Sequence, residues 1–302
     1  MRVLVSGASG MIGSAVCDAL LARGDTVVGL TRDPERARST NPTITWHPWN
    51  PALERPPAEA LDGVDGVINL IGESLDQRWS EAAKSRIRDS RIQATRNLVQ
   101  AISAVDPRPR VLVSQSAVGY YGDRGDAIVD EETQPGAGFD SQVCIDWEAE
   151  AREAENAGLR VVVTRSGLVL DPRGGLLKRL LLPFKLGLGG PIAGGDQYMS
   201  WIHIDDEVRL LLWALDDERV SGPINSTAPE PVTNRELSHT LGRVLGRPAV
   251  MPVPKLALTL MRGGELADAA SGGQRVIPRR AADLGFEFRF AELEPALRAA
   301  LD

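Results

Sequence analysis

The sequence predicts an α/β fold, a doubly wound parallel sheet with a smaller C-terminal lobe. Three observations carry that expectation. The chain opens on an apolar run, Val3, Leu4 and Val5, that passes directly into Gly7-Ala8-Ser9-Gly10-Met11-Ile12-Gly13. Strand-like and helix-like segments then alternate as far as residue 170, the pattern of a parallel sheet with right-handed crossovers. From residue 171 the character changes to turns, a proline-containing helix and a glycine-rich stretch.

The elements follow in order. After the glycines, Ile12, Ala15, Val16, Ala19 and Leu20 recur at helical spacing, and Arg23-Gly24 supplies a basic last turn and a left-handed stop. A second apolar run covers 26–30 and a further strand 64–71. A long helix is expected over 80–105, with Ala83, Ile87, Ala94, Leu98 and Ile102 near one face. A strand at 110–114, a Gly/Asp-rich loop, a helix over 143–157 and a strand over 160–170 complete the series. Trp201-Ile202-His203-Ile204-Asp205-Asp206 reads as a strand entering a helix with an acidic first turn. A helix capped by Thr233 or Asn234, with Glu236 in its first turn, follows. The expected division is a core of 1–170 joined by 201–222, and a lobe made of 171–200 and 223–302.

Composition narrows the partners. The 302 residues carry a net charge of −7, with 43% hydrophobic and 25% charged residues. Without a dense Lys/Arg run, no nucleic-acid or anionic-membrane partner is expected. No apolar stretch reaches the ~18 residues of a spanning helix. The first strand is expected in the core, not in a signal peptide. Two cysteines, Cys17 and Cys144, suit a reducing compartment, the cytoplasm. His47, His203 and His239 are too scattered for a zinc motif.

The strand–glycine–helix junction predicts a dinucleotide site. Glycine lets the backbone turn tightly and bring its N–H groups to a pyrophosphate, and the helix N-terminus beyond adds a positive dipole end. Gly7, Ser9, Gly10, Met11, Ile12 and Gly13 are the candidate phosphate cradle. The end of the second strand should meet the adenosine ribose, where an acid favours NAD and an arginine the 2′-phosphate of NADP. The chain reads Thr31-Arg32-Asp33, which favours NADP through Thr31 and Arg32 and leaves NAD as the alternative. Ligands of such sheets sit beyond the carboxyl ends of the strands, so Gly7–Gly13, the stretch at 69–73 and that at 114–121 should converge. Leu70 and Gly72 join the cofactor candidates.

The Gly7, Gly10, Gly13 spacing resembles the extended short-chain dehydrogenase/reductases. Asn69-Leu70-Ile71-Gly72-Glu73, Ile87-Arg88-Asp89-Ser90-Arg91, Ser114-Gln115-Ser116-Ala117-Val118-Gly119-Tyr120-Tyr121-Gly122, Asp146-Trp147-Glu148, Gly187-Leu188-Gly189-Gly190, Ser200 through Asp206, Asn225-Ser226-Thr227-Ala228-Pro229 and Pro252-Val253-Pro254 extend the match along the whole chain. Together they resemble an atypical "epimerase family" subgroup with a C-terminal extension. The resemblance implies a Rossmann-type core, a small-molecule substrate and a serine at Ser116 that holds the reacting oxygen. It also makes a homodimer paired through two helices plausible.

Typical members pair that serine with Tyr-x-x-x-Lys, in which lysine holds the nicotinamide ribose and lowers the tyrosine pKa. Here Cys144 stands at the tyrosine position and Glu148 at that of lysine, and no Tyr-x-x-x-Lys occurs in the sequence. A glutamate has neither lysine's donors nor its charge. The replacement candidates are Cys144, Tyr120 or Tyr121, and Glu73, set against an inert buried cysteine, a packing tyrosine and a helix cap. Arg88, Arg91 and Arg165 are weaker pocket candidates for a substrate carboxylate or phosphate. Gln197, Tyr198 and Ser200 are candidates for a lid, and His203 is expected to be structural. Two functions follow: an NADP(H)-dependent oxidoreductase or epimerase-like enzyme on a small polar molecule, or a nucleotide-binding sensor without turnover. A sugar-nucleotide epimerase ranks third.

Overall fold

The computed structural model describes residues 1–75 and 77–302, with the backbone alone at 257, 258, 261 and 262. The first half runs β1 (Arg2–Ser6), α1 (Met11–Ala22), β2 (Thr26–Thr31), α2 (Pro34–Thr40), β3 (Thr45–Pro48), β4 (Gly66–Asn69), α3 (Glu81–Ala104), β5 (Val111–Ala117), β6 (Ile128–Val129) and α4 (Phe139–Arg152). Next come β7 (Arg160–Ser166), β8 (Leu168–Leu170), α5 (Gly175–Lys185), β9 (Tyr198–Met199), β10 (Trp201–His203), α6 (Ile204–Asp216) and β11 (Gly222–Ser226). The chain ends β12 (Val232–Thr233), α7 (Asn234–Leu245), α8 (Lys255–Arg262), α9 (Gly264–Ser271), β13 (Arg275–Val276), α10 (Arg279–Asp283) and α11 (Leu293–Leu301).

Seven strands form one parallel sheet in the order β11-β7-β5-β4-β1-β2-β3. The strand period of two splits its side chains between layers. Val3, Val5, Val111 and Val113 join Val16, Leu20, Val208 and Leu211 of α1 and α6. Leu4, Leu112, Val161 and Val163 join Ala94, Leu98, Ile102 and Ala151 of α3 and α4 on the other face. Both faces are covered, which is why the strands read as near-continuous apolar runs. Burial of each such Val, Leu or Ile contributes ~1.5–3 kcal/mol. The face expected for α3 is the buried one, down to Ala83, Ile87, Ala94, Leu98 and Ile102.

Three details differ from expectation. β3 and α2 were not legible as elements, because Thr45-Trp46-His47-Pro48 lacks both alternation and an apolar run. The apolar 160–170 segment is two strands, and β8 leaves the main sheet to pair with β10. The boundary at 222 falls inside the sheet, since β11 runs on to Ser226 beside β7. Ala281 of α10, with Leu284, Phe286 and Phe288, also packs on the α1/α6 layer. A further core of Leu177, Phe184, Trp201, Leu237, Leu241 and Leu297 holds α5, α7 and α11 together. α7 begins on a capping box, Thr233 and Glu236 each satisfying the other's backbone N–H. Among the described residues, no helix is long and apolar enough to cross a membrane.

Candidate functional site

The carboxyl ends of β1, β4 and β5 are tied by buried polar side chains. Ser6 Oγ donates to Asn69 Oδ1 at 2.6 Å, and Asn69 Nδ2 donates to Ser114 Oγ at 3.1 Å and Thr95 Oγ1 at 2.9 Å. Trp147 Nε1 donates to the same Thr95 Oγ1 at 2.9 Å, which fastens α4 to α3. The register places Ser6 beside Asn69 and Asn69 beside Ser114. The three motifs predicted to converge therefore lie along one sheet edge.

The glycine turn is close-packed backbone. Gly7 has φ of +70°, and a Cβ there would fall 2.7 Å from the Leu70 carbonyl oxygen. A Cβ at Gly13 would fall 2.1 Å from the Gly7 carbonyl oxygen. The N–H of Gly10 closes the turn on Gly7 O at 2.9 Å, and Gly10 caps α1 with no side chain. The first-turn N–H groups of α1 thus stand open at the sheet edge, a surface that fits a pyrophosphate. Ser9 is exposed and Ile12 half-buried beside this turn. Met11 turns toward the lobe, where a Cβ on Gly174 would meet its Sδ at 2.6 Å.

At the end of β2 the two charged residues divide their work. Asp33 caps α2, its Oδ1 accepting from Arg36 N at 3.0 Å, with Pro34 in the first turn. Arg32 is exposed and has no hydrogen-bond or ion-pair partner among the described residues. Thr31 Oγ1 accepts from Asp33 N at 3.2 Å. The carboxylate is committed to the helix, and the guanidinium is free for a phosphate.

Ser116, at the end of β5, is buried and donates to Glu148 Oε1 at 2.8 Å. Glu148 is 3% exposed and faces inward. Its oxygens take four hydrogen bonds: from Ser116 Oγ, Arg165 Nε at 2.8 Å, Arg165 Nη2 at 2.9 Å and Arg152 Nη2 at 3.3 Å. Burial opposes the charge of Arg165, but hydrogen bonding to Glu148 and the charge of that carboxylate hold the guanidinium above the ordinary arginine value. Arg165 also donates to Tyr121 OH at 3.0 Å and lies 3.5 Å from the centroid of the Tyr120 ring. Arg165 is therefore a partner inside the floor and does not project into the cleft.

The surroundings of two proton-donor candidates work against that role. Cys144 lies against Ser116, and burial pushes its thiol up to about 12, so it is a protonated, inert side chain near neutral pH. Glu73 is held by Gln77 Nε2 at 2.9 Å and Arg86 Nε at 3.0 Å, which pull it below the ordinary carboxylate range and leave no proton to donate. Glu73 does not cap the next helix either, a role taken by Ser80. Tyr121 donates to Asn225 Oδ1 at 2.7 Å, and burial raises its phenol to about 12. Tyr120 is half-buried, with its hydroxyl unpartnered among the described residues. His203 is structural as expected, its Nδ1 accepting from Asp205 N at 3.1 Å.

The sequence did not reveal the inward pairing of Glu148. Its one signal was a charged Arg165 in a strand of valines, which must find a partner when buried. Glu207 was also missed. It follows the Asp205-Asp206 pair and is fully buried, with Ser166 and Ser226 hydroxyls at 2.7 and 2.6 Å.

Comparison with known proteins places this architecture. An epimerase family protein of Mycobacterium tuberculosis is 41% identical over 296 residues, which cover 98% of this chain and 96% of that protein. The crystal structure of the human epimerase family protein SDR39U1 with NADPH is 36% identical, with a TM-score of 0.90 and both chains covered in full. A nucleoside-diphosphate sugar epimerase from Corynebacterium glutamicum is 32% identical with a TM-score of 0.80, covering 100% of this chain and 58% of that one. Residues 253–300 match a domain of unknown function (DUF1731). Residues 3–225 match the NAD dependent epimerase/dehydratase family, and the chain belongs to that family.

Proposed function

We propose that this protein is an NADP(H)-binding oxidoreductase acting on a small polar substrate. The observation that carries the reading is the pairing of an open, glycine-walled helix N-terminus with Arg32, whose neighbour Asp33 is spent on capping α2. The NADPH found with the human relative, 36% identical over its full length, supports it. A nicotinamide nucleotide bound here supplies hydride transfer. Gly7, Gly10 and Gly13, with the N–H groups of Met11 and Ile12, would hold the diphosphate, and Thr31 and Arg32 the 2′-phosphate side, while Leu70 and Gly72, after β4 on the other side of β1, would line the way toward Ser116.

The chain's own contribution to the chemistry centres on Ser116. Its hydrogen is directed at Glu148 Oε1, so its Oγ offers lone pairs to a substrate hydroxyl, and toward a carbonyl oxygen, which only accepts, that hydrogen would turn from Glu148 to the substrate. We assign proton exchange to the Tyr120 phenol. Its ring is clamped by the Arg165 guanidinium, 3.5 Å from the ring centroid, and its hydroxyl is left without a partner among the described residues. Glu148, with its oxygens filled, cannot take over the ribose-holding work of a lysine. Two free, buried cysteines suit a reducing compartment such as the cytoplasm.

That same burial of Glu148 favours a second reading, a nucleotide-binding sensor without turnover. Absorbance of NADPH with a panel of 2-oxo acids, aldoses and simple ketones separates the two. Oxidation that is lost in Ser116→Ala and Tyr120→Phe, with NADPH binding retained, supports the enzyme. Tight NADPH binding with no oxidation by any carbonyl supports the sensor.

A further inference from the structure

We propose that Arg91 forms a carboxylate-binding subsite beside Ser116, so that the substrate of this cleft is a carboxylic acid. The proposal rests on the oxidoreductase reading above. Arg91 lies on α3 and reaches the end of β4, where a Cβ at Gly72 would fall 2.9 Å from Cζ, 3.0 Å from Nη2 and 3.2 Å from Nε. The central carbon is the nearest atom, so Gly72 covers the flat face of the guanidinium. The Trp147 ring centroid lies 5.2 Å from Cζ. Trp147 lies one turn from Cys144 on α4, and Cys144, which lies against Ser116, also feels the charge of Arg91.

What distinguishes Arg91 is that no carboxylate touches it; Glu73, whose charge reaches it, is bound to Arg86 and Gln77. Arg88 is exposed and paired with its neighbour Asp89. Arg86 is paired with Glu73, and Arg165 with Glu148. Arg91 has no carboxylate in ion-pair contact among the described residues, and its one hydrogen bond runs from Nη1 to the Ile87 carbonyl at 3.1 Å. Burial pulls its guanidinium below the ordinary arginine value, a cost that a bound anion would offset. With Nη1 pinned and a face covered, the Nε/Nη2 edge remains, the edge that takes a carboxylate through two parallel hydrogen bonds. A side chain at Gly72 would displace the fork, since its Cβ would meet Arg91 within 2.9–3.2 Å.

The test is binding to the full-length protein already saturated with NADPH, read by nicotinamide fluorescence and by calorimetry. The probes are acetate, oxamate and malonate, with neutral oxamide and inorganic phosphate as controls. Oxamate or malonate should bind while oxamide does not. Arg91→Met should weaken the carboxylate by about tenfold or more, and Arg91→Lys by less, because charge survives but the fork is lost. Gly72→Ala should weaken it too, which keeps the test open if Arg91→Met does not fold. NADPH affinity should stay within about twofold of wild type in Arg91→Lys. The proposal is overturned if wild type binds NADPH but none of the three carboxylates. It is equally overturned if phosphate binds in their place, if Arg91→Met binds carboxylates like wild type, or if loss of Arg91 abolishes NADPH binding. Wild type that fails to bind NADPH at all overturns the underlying oxidoreductase reading instead.

Discussion

Arg165 and Glu148 meet as a two-pronged ion pair, Nε to Oε1 at 2.8 Å and Nη2 to Oε2 at 2.9 Å, with 2% and 3% of their side chains exposed. The pair locks β7 to α4, and Ser116 donates to the same Glu148 Oε1. Removing Arg165 leaves the buried Glu148 with only the longer, 3.3 Å contact to the exposed Arg152 guanidinium as a counter-charge. Arg165→Met should therefore lower stability by ~3–5 kcal/mol in denaturant unfolding, and the double variant with Glu148→Gln should recover part of that loss. Equal losses in the single and double variants would contradict the coupling.

Glu207 makes stability depend on pH. Burial outweighs the Ser226 and Ser166 hydroxyls and raises its carboxyl from 4.5 to about 7. Between those values the folded state keeps a proton that the unfolded chain has released. Stability should therefore fall as pH rises from about 4.5 to about 7, then level off. Glu207→Gln needs no such proton and should be more stable than wild type at pH 8 by ~3 kcal/mol, at ~1.4 kcal/mol for each pH unit of the window. Unfolding curves for both proteins across that range check this, and parallel pH profiles would rule it out.

Cys144 should behave as packing. A thiol raised to about 12 by burial offers almost no thiolate at neutral pH. Alkylating reagents should label it only when the protein unfolds, and Cys144→Ala should retain NADPH binding. Rapid labelling of the native protein at pH 7 would restore it as a chemical candidate.

The glycine turn should tolerate no side chain at its third position. A methyl on Gly13 would sit 2.1 Å from the Gly7 carbonyl oxygen, well inside contact distance. Gly13→Ala should cost ~1–3 kcal/mol through the displacement of α1 from β1 and should lose nucleotide affinity with it. Ser14→Ala, one residue on and outside that contact, is the matched control.

Local pattern made the sheet legible. The apolar runs at β1, β2, β4, β5 and β7, and the single buried face of α3, are properties of short segments that the sequence displays directly. The glycine turn was legible because backbone packing demands glycine at fixed positions. β3 was hidden because Trp46 and His47 earn their places through neighbours, Trp46 by its ring against Gly29 of β2. The roles of the charged residues were hidden for a related reason. Glu148 and Arg165 are 17 residues apart, and Glu207 meets serines 19 and 41 residues away, so each partner is set by topology. Sequence could say that Glu148 is no lysine, but only the fold says that it turns inward.

Side-by-side titration with NADPH and NADH, followed by reduced-nicotinamide fluorescence in wild type and Arg32→Ala, tests the central claim most directly. Wild type should bind NADPH the more tightly, and Arg32→Ala should weaken NADPH by about tenfold while leaving NADH unchanged. Equal affinities for the two nucleotides in wild type, or binding of neither, would contradict the account.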